Sequence, residues 1–375
     1  MKRKITFIGC LAAAMVVQTG PAFASSHDPD YEVMATGLVS PLHLAVGDGE
    51  TVRVSQDFAG ILTRVEHDGD RKDVYTAEKG WEVAGAETRG DTTYFLESIG
   101  AGQGDPAALH SHLKSIDSNG DVDKIASLAD YERSVNPDRK QHYGFGDDVS
   151  QQCLTEAGAP KDAPPAQYTG DIDSHPYALA LWKDTAYVAD AGANAVLKVD
   201  LDSGRISTVA VLPPRPAKLT EDVADHFGAP ACAGFTYAFE PVPTDVEIGP
   251  DGWLYVSSLP GGEPGSLGAR GAIFKINPWT GETKLWQDHI LTPTGLAVTD
   301  KGDVYVASLF GGEILKFNSE GDRSHFLTVN MPADVEFRGG DVFATVDALV
   351  GVSDPEGPSA PMAEPGGRLI EVDLH

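Results

Sequence analysis

A short motif returns six times along this chain, and its recurrence constrains the fold more than any other feature. Its clearest copies read Pro-Thr-Asp-Val-Glu-Ile-Gly-Pro-Asp-Gly-Trp-Leu-Tyr-Val (Pro243 to Val256) and Pro-Thr-Gly-Leu-Ala-Val-Thr-Asp-Lys-Gly-Asp-Val-Tyr-Val (Pro293 to Val306). Other copies start at Pro41, Pro176 and Pro332, and a degenerate one starts near Glu82. An aromatic or long side chain follows the first position by 11 or 12 residues: Arg53, Tyr94, Tyr187, Tyr255, Tyr305 and Phe343. A second apolar strand comes next, as in Val196 to Asp200, Ile273 to Asn277 and Ile314 to Asn318. Self-similarity at this period is the signature of radial β-repeats, so the expected fold is all-β, a six-bladed β-propeller.

The motif supplies the two inner strands of each blade, A and B, joined by tight turns such as Gly249-Pro250-Asp251-Gly252. Strand C is the apolar segment ending in Asp or Asn, and strand D follows a polar turn. The chain begins with a D-like segment, Tyr31 to Leu38, before any A strand, and ends with a C-like segment, Arg368 to Asp373, with no D after it. The N-terminal strand is therefore expected to complete the last blade and remove the open edges. No segment keeps a 3.6-residue period, so helices are expected only in insertions. One repeat array uses nearly all of the chain, which predicts a single domain over residues 25–375.

Lys2-Arg3-Lys4, an apolar run from Ile5 to Val17 and Ala22-Phe23-Ala24 form the three parts of a secretory signal peptide over residues 1–24, with cleavage after Ala24. Cys10 lies inside the apolar run and lacks the leucine usual at an acylation site, so lipidation is not expected. No other segment is long enough to span a bilayer. The expected location is extracellular or periplasmic. Net charge is −28, and loss of the three basic leader residues leaves about −31. Such a surface repels phosphate backbones and anionic lipid, which argues against nucleic-acid and membrane partners. Two cysteines remain after processing, Cys153 and Cys232; each sits in a long insertion between consecutive blades, and an exported chain is expected to pair them.

Extra sequence occurs at Gly100 to Ala108, Ala129 to Asp173, Pro213 to Pro241, Pro260 to Arg270 and Asp347 to Gly366. In the strand register all five are B–C or D–A connections, which emerge on one face. One-sided insertion in a repeat protein marks the binding face. The two longest carry Tyr131, Tyr143, Phe145 and Tyr168, and Phe227, Phe235, Tyr237 and Phe239, which either pack as a cap or meet a ligand.

The third motif position begins each innermost strand close to the channel mouth. It reads His43, Ala84, Ala178, Asp245, Gly295 and Asp334 around the ring. Polar side chains converging there would hold a ligand, or a divalent cation through Asp245 and Asp334, or else bond neighbouring strand ends. His175 precedes Pro176 where a further mouth residue would sit. Asp57, Glu97 and Asp190 follow strand B, and Asp190 reads as a turn-tying carboxylate. The turn Asp117 to Asp123 is not a calcium loop, because Val122 stands where that loop needs glycine. His110 and His112 share one face of a strand, and His142, His175 and His226 lie on the insertion side. No nucleophile elbow, metalloprotease helix motif or phosphate loop is present.

At these residues the chain resembles the NHL-repeat family of six-bladed propellers, which Tyr187 to Asn194 approaches most closely. More narrowly it resembles the ScyD/ScyE family of exported bacterial proteins. The carrying segments are Ser174 to Ala178, Glu240 to Val246, Gly249 to Gly252, Ser258 to Gly262 and Leu267 to Gly271. That resemblance implies the fold and supplies no catalytic residues. Similar-looking propeller lactonases place a Glu, an Asn and an Asp around a channel calcium, whereas the third position here offers His43, Asp245 and Asp334 without the glutamate. The leading expectation is a monomeric, secreted, non-catalytic scaffold that binds a protein or small-molecule ligand on its insertion-bearing face, through His43, His175, Asp245 and Asp334 at the channel mouth. The alternative is a propeller enzyme, a lyase or a metal-dependent lactonase or hydrolase using Ca2+ held by Asp245 and Asp334. Fold alone does not choose between them.

Overall fold

The computed structural model describes residues 28–159, 165–352 and 364–374. The expected leader, with Cys10, lies outside these residues, as does part of the insertion after Asp347. Six four-stranded antiparallel sheets form the blades. Their innermost strands are Pro41–Val46, Glu82–Arg89, Pro176–Trp182, Pro243–Ile248, Pro293–Val298 and Asp334–Arg338. Each touches the next around the ring, and the sixth touches the first, which closes the propeller. In blade 6 the outermost strand is Glu32–Leu38, hydrogen-bonded to the last strand, Gly367–Asp373. The N-terminal strand thus completes the final blade as expected.

Apolar side chains fill the spaces between blades. Leu44, Val52, Val54 and Val65 of blade 1 meet Met34, Leu38, Phe343 and Leu369 of blade 6 in one buried cluster. Each such side chain, fully buried, stabilises the fold by about 1.5–3 kcal/mol. Entry into four innermost strands passes through a residue with positive φ just before a proline: Ser40, Val242, Thr292 and Met331. That backbone region is costly for β-branched residues such as Val242 and Thr292. A recurring bond offsets it, because the carbonyl of each accepts an amide just past strand B of its own blade (Asp57, Leu259, Leu309 and Ala348, at 3.0–3.2 Å).

A seventh four-stranded sheet stands outside the ring. Its strands, in order Gln167–Thr169, His142–Phe145, Thr236–Phe239 and Arg215–Lys218, all come from the two longest insertions. The helices there are short. Ser127, Ser150 and Thr220 cap Leu128–Val135, Gln151–Ala157 and Glu221–His226 by accepting backbone amides at their first turns. Cys153 and Cys232 form a disulfide that joins the two insertions, with Cα atoms 4.7 Å apart. Around it pack Phe145, Tyr237 and Ala229, with Tyr168, Phe235 and Phe239 partly buried. Most of the insertion aromatics therefore build a cap. Tyr131 instead bonds Thr208 of blade 3, and Phe227 remains exposed at 42%. Among the described residues no helix is long and apolar enough to cross a membrane.

Candidate functional site

The six innermost strands bring their third and fifth positions to the central channel. The structural register follows from the partner in strand B. Glu247 pairs with Tyr255, Glu336 with Phe343, Glu87 with Tyr94, Ala45 with Arg53, Ala180 with Tyr187 and Ala297 with Tyr305. The fifth position thus alternates Ala and Glu from blade to blade. Two positions before Glu87 stands Gly85, so Gly85 rather than Ala84 is the blade 2 equivalent of Asp245. A Cβ on Gly85 would lie 2.5 Å from the Ala178 Cα of blade 3, so the close approach of the two strands admits only glycine there.

Asp245 and Asp334 act as clasps between blades. Asp245 accepts the amides of Val246 at 2.7 Å and of Leu296, in blade 5, at 2.6 Å. Asp334 accepts Val335 at 2.9 Å and Leu44, in blade 1, at 2.8 Å. Both oxygens of each carboxylate are engaged, which is the strand-end bonding weighed above against ligand binding. Burial still pushes Asp245 up to about 7 and Asp334 well above the carboxylate range, where the charge of Asp245 adds to the rise.

Toward the insertion face lie His43, Asp57, Glu82, His175 and Tyr177. The Tyr177 ring packs edge-on against both imidazoles, 4.4 Å from His43 and 5.9 Å from His175. His175 Nε2 meets Glu82 Oε2 at 2.8 Å. Burial works against charge on His175, but the Glu82 bond and the charges of Glu82, Asp173 and Asp190 hold its pKa above the ordinary value. His43 behaves oppositely. Burial, with His175 nearby, lowers it to about 3, so its ring is neutral. Its Nε2 is 3.6 Å from Asp57 and its Nδ1 3.9 Å from Asp334, too far for hydrogen bonds. The structure therefore brings His43 and His175 against one tyrosine, while Asp245 and Asp334 line the cavity that His43 also lines.

Three residues that sequence reasoning passed over lie two positions further along these strands and are partly exposed. Glu87, Glu247 and Glu336 place carboxylate oxygens within 4.8 Å of one another. They line, with His43, Asp245 and Asp334, a narrow cavity of about 10 Å³, room for about one water or ion. Burial, with Asp245 nearby, pushes Glu87 up to about 8, and burial with the neighbouring carboxylates lifts Glu247 and Glu336 well above their usual range.

The other sequence candidates lie elsewhere. Glu97 faces the flank of blade 2, where His112, Lys114 and Tyr75 bond it and hold it at about 2 despite its burial. His110 and His112 stack on Trp81. Asp190 ties its loop by accepting the amides of His175 and Ala193 and the Ser174 hydroxyl. Beneath the cap, Glu132 is 1% exposed, and neither carboxylate oxygen has a hydrogen-bond partner among the described residues. Burial, then Asp190, Asp138 and Asp173, push it up to about 9.

No protein-family model and no curated protein matches this chain in sequence. Solved structures do. A protein from Thermus thermophilus described as a glucose dehydrogenase shares 14% identity, 92% of this chain and 99% of its own, with TM-score 0.54. The PQQ-bound aldose sugar dehydrogenase of Streptomyces coelicolor shares 13% identity, 91% and 96% of the two chains, with TM-score 0.52. A gluconolactonase of Xanthomonas campestris shares 12% identity, 95% and 99%, with TM-score 0.50. These likenesses define the class as an all-β propeller. At such identities they show the fold alone.

Proposed function

We propose that this chain is an exported, non-catalytic propeller of the ScyD/ScyE type that holds a protein or small-molecule ligand on its insertion-bearing face. The carrying observation is the division of labour between channel and cap. Tyr177 packs against both His43 and His175, the channel has room for about one water or ion, and Asp245 and Asp334 are already bonded to backbone amides. Meanwhile a disulfide and a sheet of their own hold the two longest insertions in a fixed surface. A preorganised surface loses little conformational freedom on binding.

The test is site-directed photo-crosslinking in the producing cells' own culture fluid. A crosslinking residue replaces Phe227 on the cap, or Trp279, which is 71% exposed on the opposite face. A discrete adduct from position 227 only is the expected result. Adducts from position 279 only would overturn the assignment of the face.

A second reading rests on the His175–Glu82 pair beside Tyr177. A carboxylate-bonded imidazole at a channel mouth is a general acid–base arrangement, and propellers of the same fold include a sugar dehydrogenase and a gluconolactonase. On that reading the chain is an enzyme, a lyase or a hydrolase of lactone-like substrates, and His175→Ala abolishes its turnover.

A further inference from the structure

With 56 acidic and 28 basic residues, the chain offers two carboxylates for every lysine or arginine. Two neighbouring arginines take none of them. Among the described residues neither Arg215 nor Arg270 forms an ion pair with a carboxylate. Both stand at one seam, where the cap meets blade 4. Arg215 opens the cap strand Arg215–Lys218 and pairs across the sheet with Phe239, while Arg270 directly precedes the blade 4 strand Gly271–Ile276. Arg215 Nη2 donates to the Arg270 carbonyl at 3.1 Å, and the Arg270 guanidinium lies 4.3 Å from the centre of the Phe239 ring. We infer that this arginine pair binds the carboxylate of a small organic anion, which names the ligand chemistry of the insertion-bearing face and rests on the binding reading above.

An unsatisfied donor points there. Arg270 Nη2 donates to the Gly261 carbonyl at 2.7 Å, but Nη1 is buried and has no hydrogen-bond partner among the described residues. A buried cationic N–H without an acceptor is costly. An anion supplies both acceptor and counter-charge, where a water supplies only the first. The nearest acids do neither. Glu263, in the same loop as Gly261, lies against His226 at 3.7 Å, and Asp288 acts on Arg215 only from beyond ion-pair range. Burial, then the charge of Arg215, lowers Arg270 to about 10, which leaves both cations charged and uncompensated at neutral pH.

The loop beside them keeps clear of the pair. Gly262 has φ +92°, and a Cβ there would lie 2.9 Å from the Phe239 ring and 3.3 Å from Arg270 Nη2, so a side chain would crowd both. Guanidinium forks match carboxylates in plane and spacing. The net charge of −28 repels a dianion more strongly than a monoanion, which favours a carboxylate over a phosphate. The contact of His226 with Glu263 also sets the exposed Phe227 beside the same loop, since the His226 and Phe227 rings are 5.2 Å apart.

The experiment is a saturation-transfer NMR titration of the mature protein with sodium benzoate at neutral pH and fixed ionic strength, with uncharged benzamide as the control of the same shape. Saturable benzoate binding, about tenfold or more tighter than benzamide, is expected. Arg215→Gln and Arg270→Gln should each weaken benzoate by about tenfold or more, while the exposed Lys301→Gln binds as the wild type does. If either arginine variant fails to fold, phenylglyoxal modification of the wild type decides. Benzoate should slow modification of Arg215 and leave that of the exposed Arg205 unchanged. Benzoate no tighter than benzamide, binding unchanged in both variants, or Arg215 modified equally fast with and without benzoate would overturn the inference. In each of those cases a crosslinked adduct at position 227 keeps the face assignment standing, so the two failures are told apart.

Discussion

Asp334 Oδ2 accepts the backbone N–H of Leu44 at 2.8 Å, across 290 residues of sequence, and so fastens the last blade's innermost strand to the first's. Asp245 does the same between blades 4 and 5 through Leu296. Blade 2 has Gly85 at this position and closes on blade 3 by backbone approach instead. The ring is thus held at its centre by side chains that resemble, in sequence, a ligand set.

Removing such a clasp leaves buried amides without acceptors. Asp334→Ala strands the N–H groups of Leu44 and Val335, each costing about 1–3 kcal/mol. Urea unfolding should show a loss of about 2–4 kcal/mol, with Asp334→Asn losing less because it keeps one acceptor oxygen. A change in midpoint no larger than that of an exposed Asp→Ala would contradict the clasp role.

One channel acid and one acid beneath the cap, both raised, make stability fall as pH rises. Glu87 and Glu132, at about 8 and about 9, stay protonated in the folded chain while their unfolded forms ionise near 4.5. The folded state therefore binds more protons, and stability declines from about pH 4.5 up to these values. His175, raised by its carboxylate neighbours, adds a loss in the same direction. His43 and Glu97 are lowered to about 3 and about 2 and act in the opposite sense, but only below neutrality. Melting temperature in EDTA should drop between pH 7 and 9; a flat or rising profile would contradict the buried protonated acids.

The disulfide closes a sequence separation of 79 residues. Loop-closure entropy for such a span is about 4–5 kcal/mol as an upper bound. Cys153→Ser/Cys232→Ser should open the cap to protease within residues 129–173 and 213–241 while the blade sheets stay folded. Simultaneous cleavage throughout the chain would show instead that cap and ring unfold as one unit.

Deleting residues 28–38 from the mature chain removes the outer strand of blade 6 together with Met34 and Leu38 from the cluster they share with Leu44 and Phe343. The strand Gly367–Asp373 becomes an open edge, so the truncated chain should aggregate or lose cooperative unfolding. A truncated chain that melts like the intact one would show that the closure contributes little.

Blade count, terminal closure and the one-sided insertions were legible because they depend on strand order, which the Pro-x-x-Val/Leu and Tyr-Val copies preserve. The cysteine pairing was legible because register put both insertions on one face. The glutamate ring was not. Read blade by blade, Glu247 and Glu336 look like ordinary strand residues, and the irregular pairing between Val83 and Ala86 shifts Glu87 out of frame with them. Only the pairing of Glu87 with Tyr94 restores the register and shows the Ala/Glu alternation. The clasps were half legible: Asp245 and Asp334 fit both a ligand set and strand-end bonding, and sequence carries no information on which amides lie within 3 Å.

Above all, the proposed function makes the channel part of the scaffold and not a reaction chamber. Initial-rate assays of the calcium-saturated mature protein against a panel of lactones test that assignment most directly. Rates equal to buffer alone are predicted, for the wild type and for His175→Ala alike. Saturable turnover by the wild type, lost in His175→Ala while its melting temperature is unchanged, would contradict it and make the His175–Glu82 pair an active site.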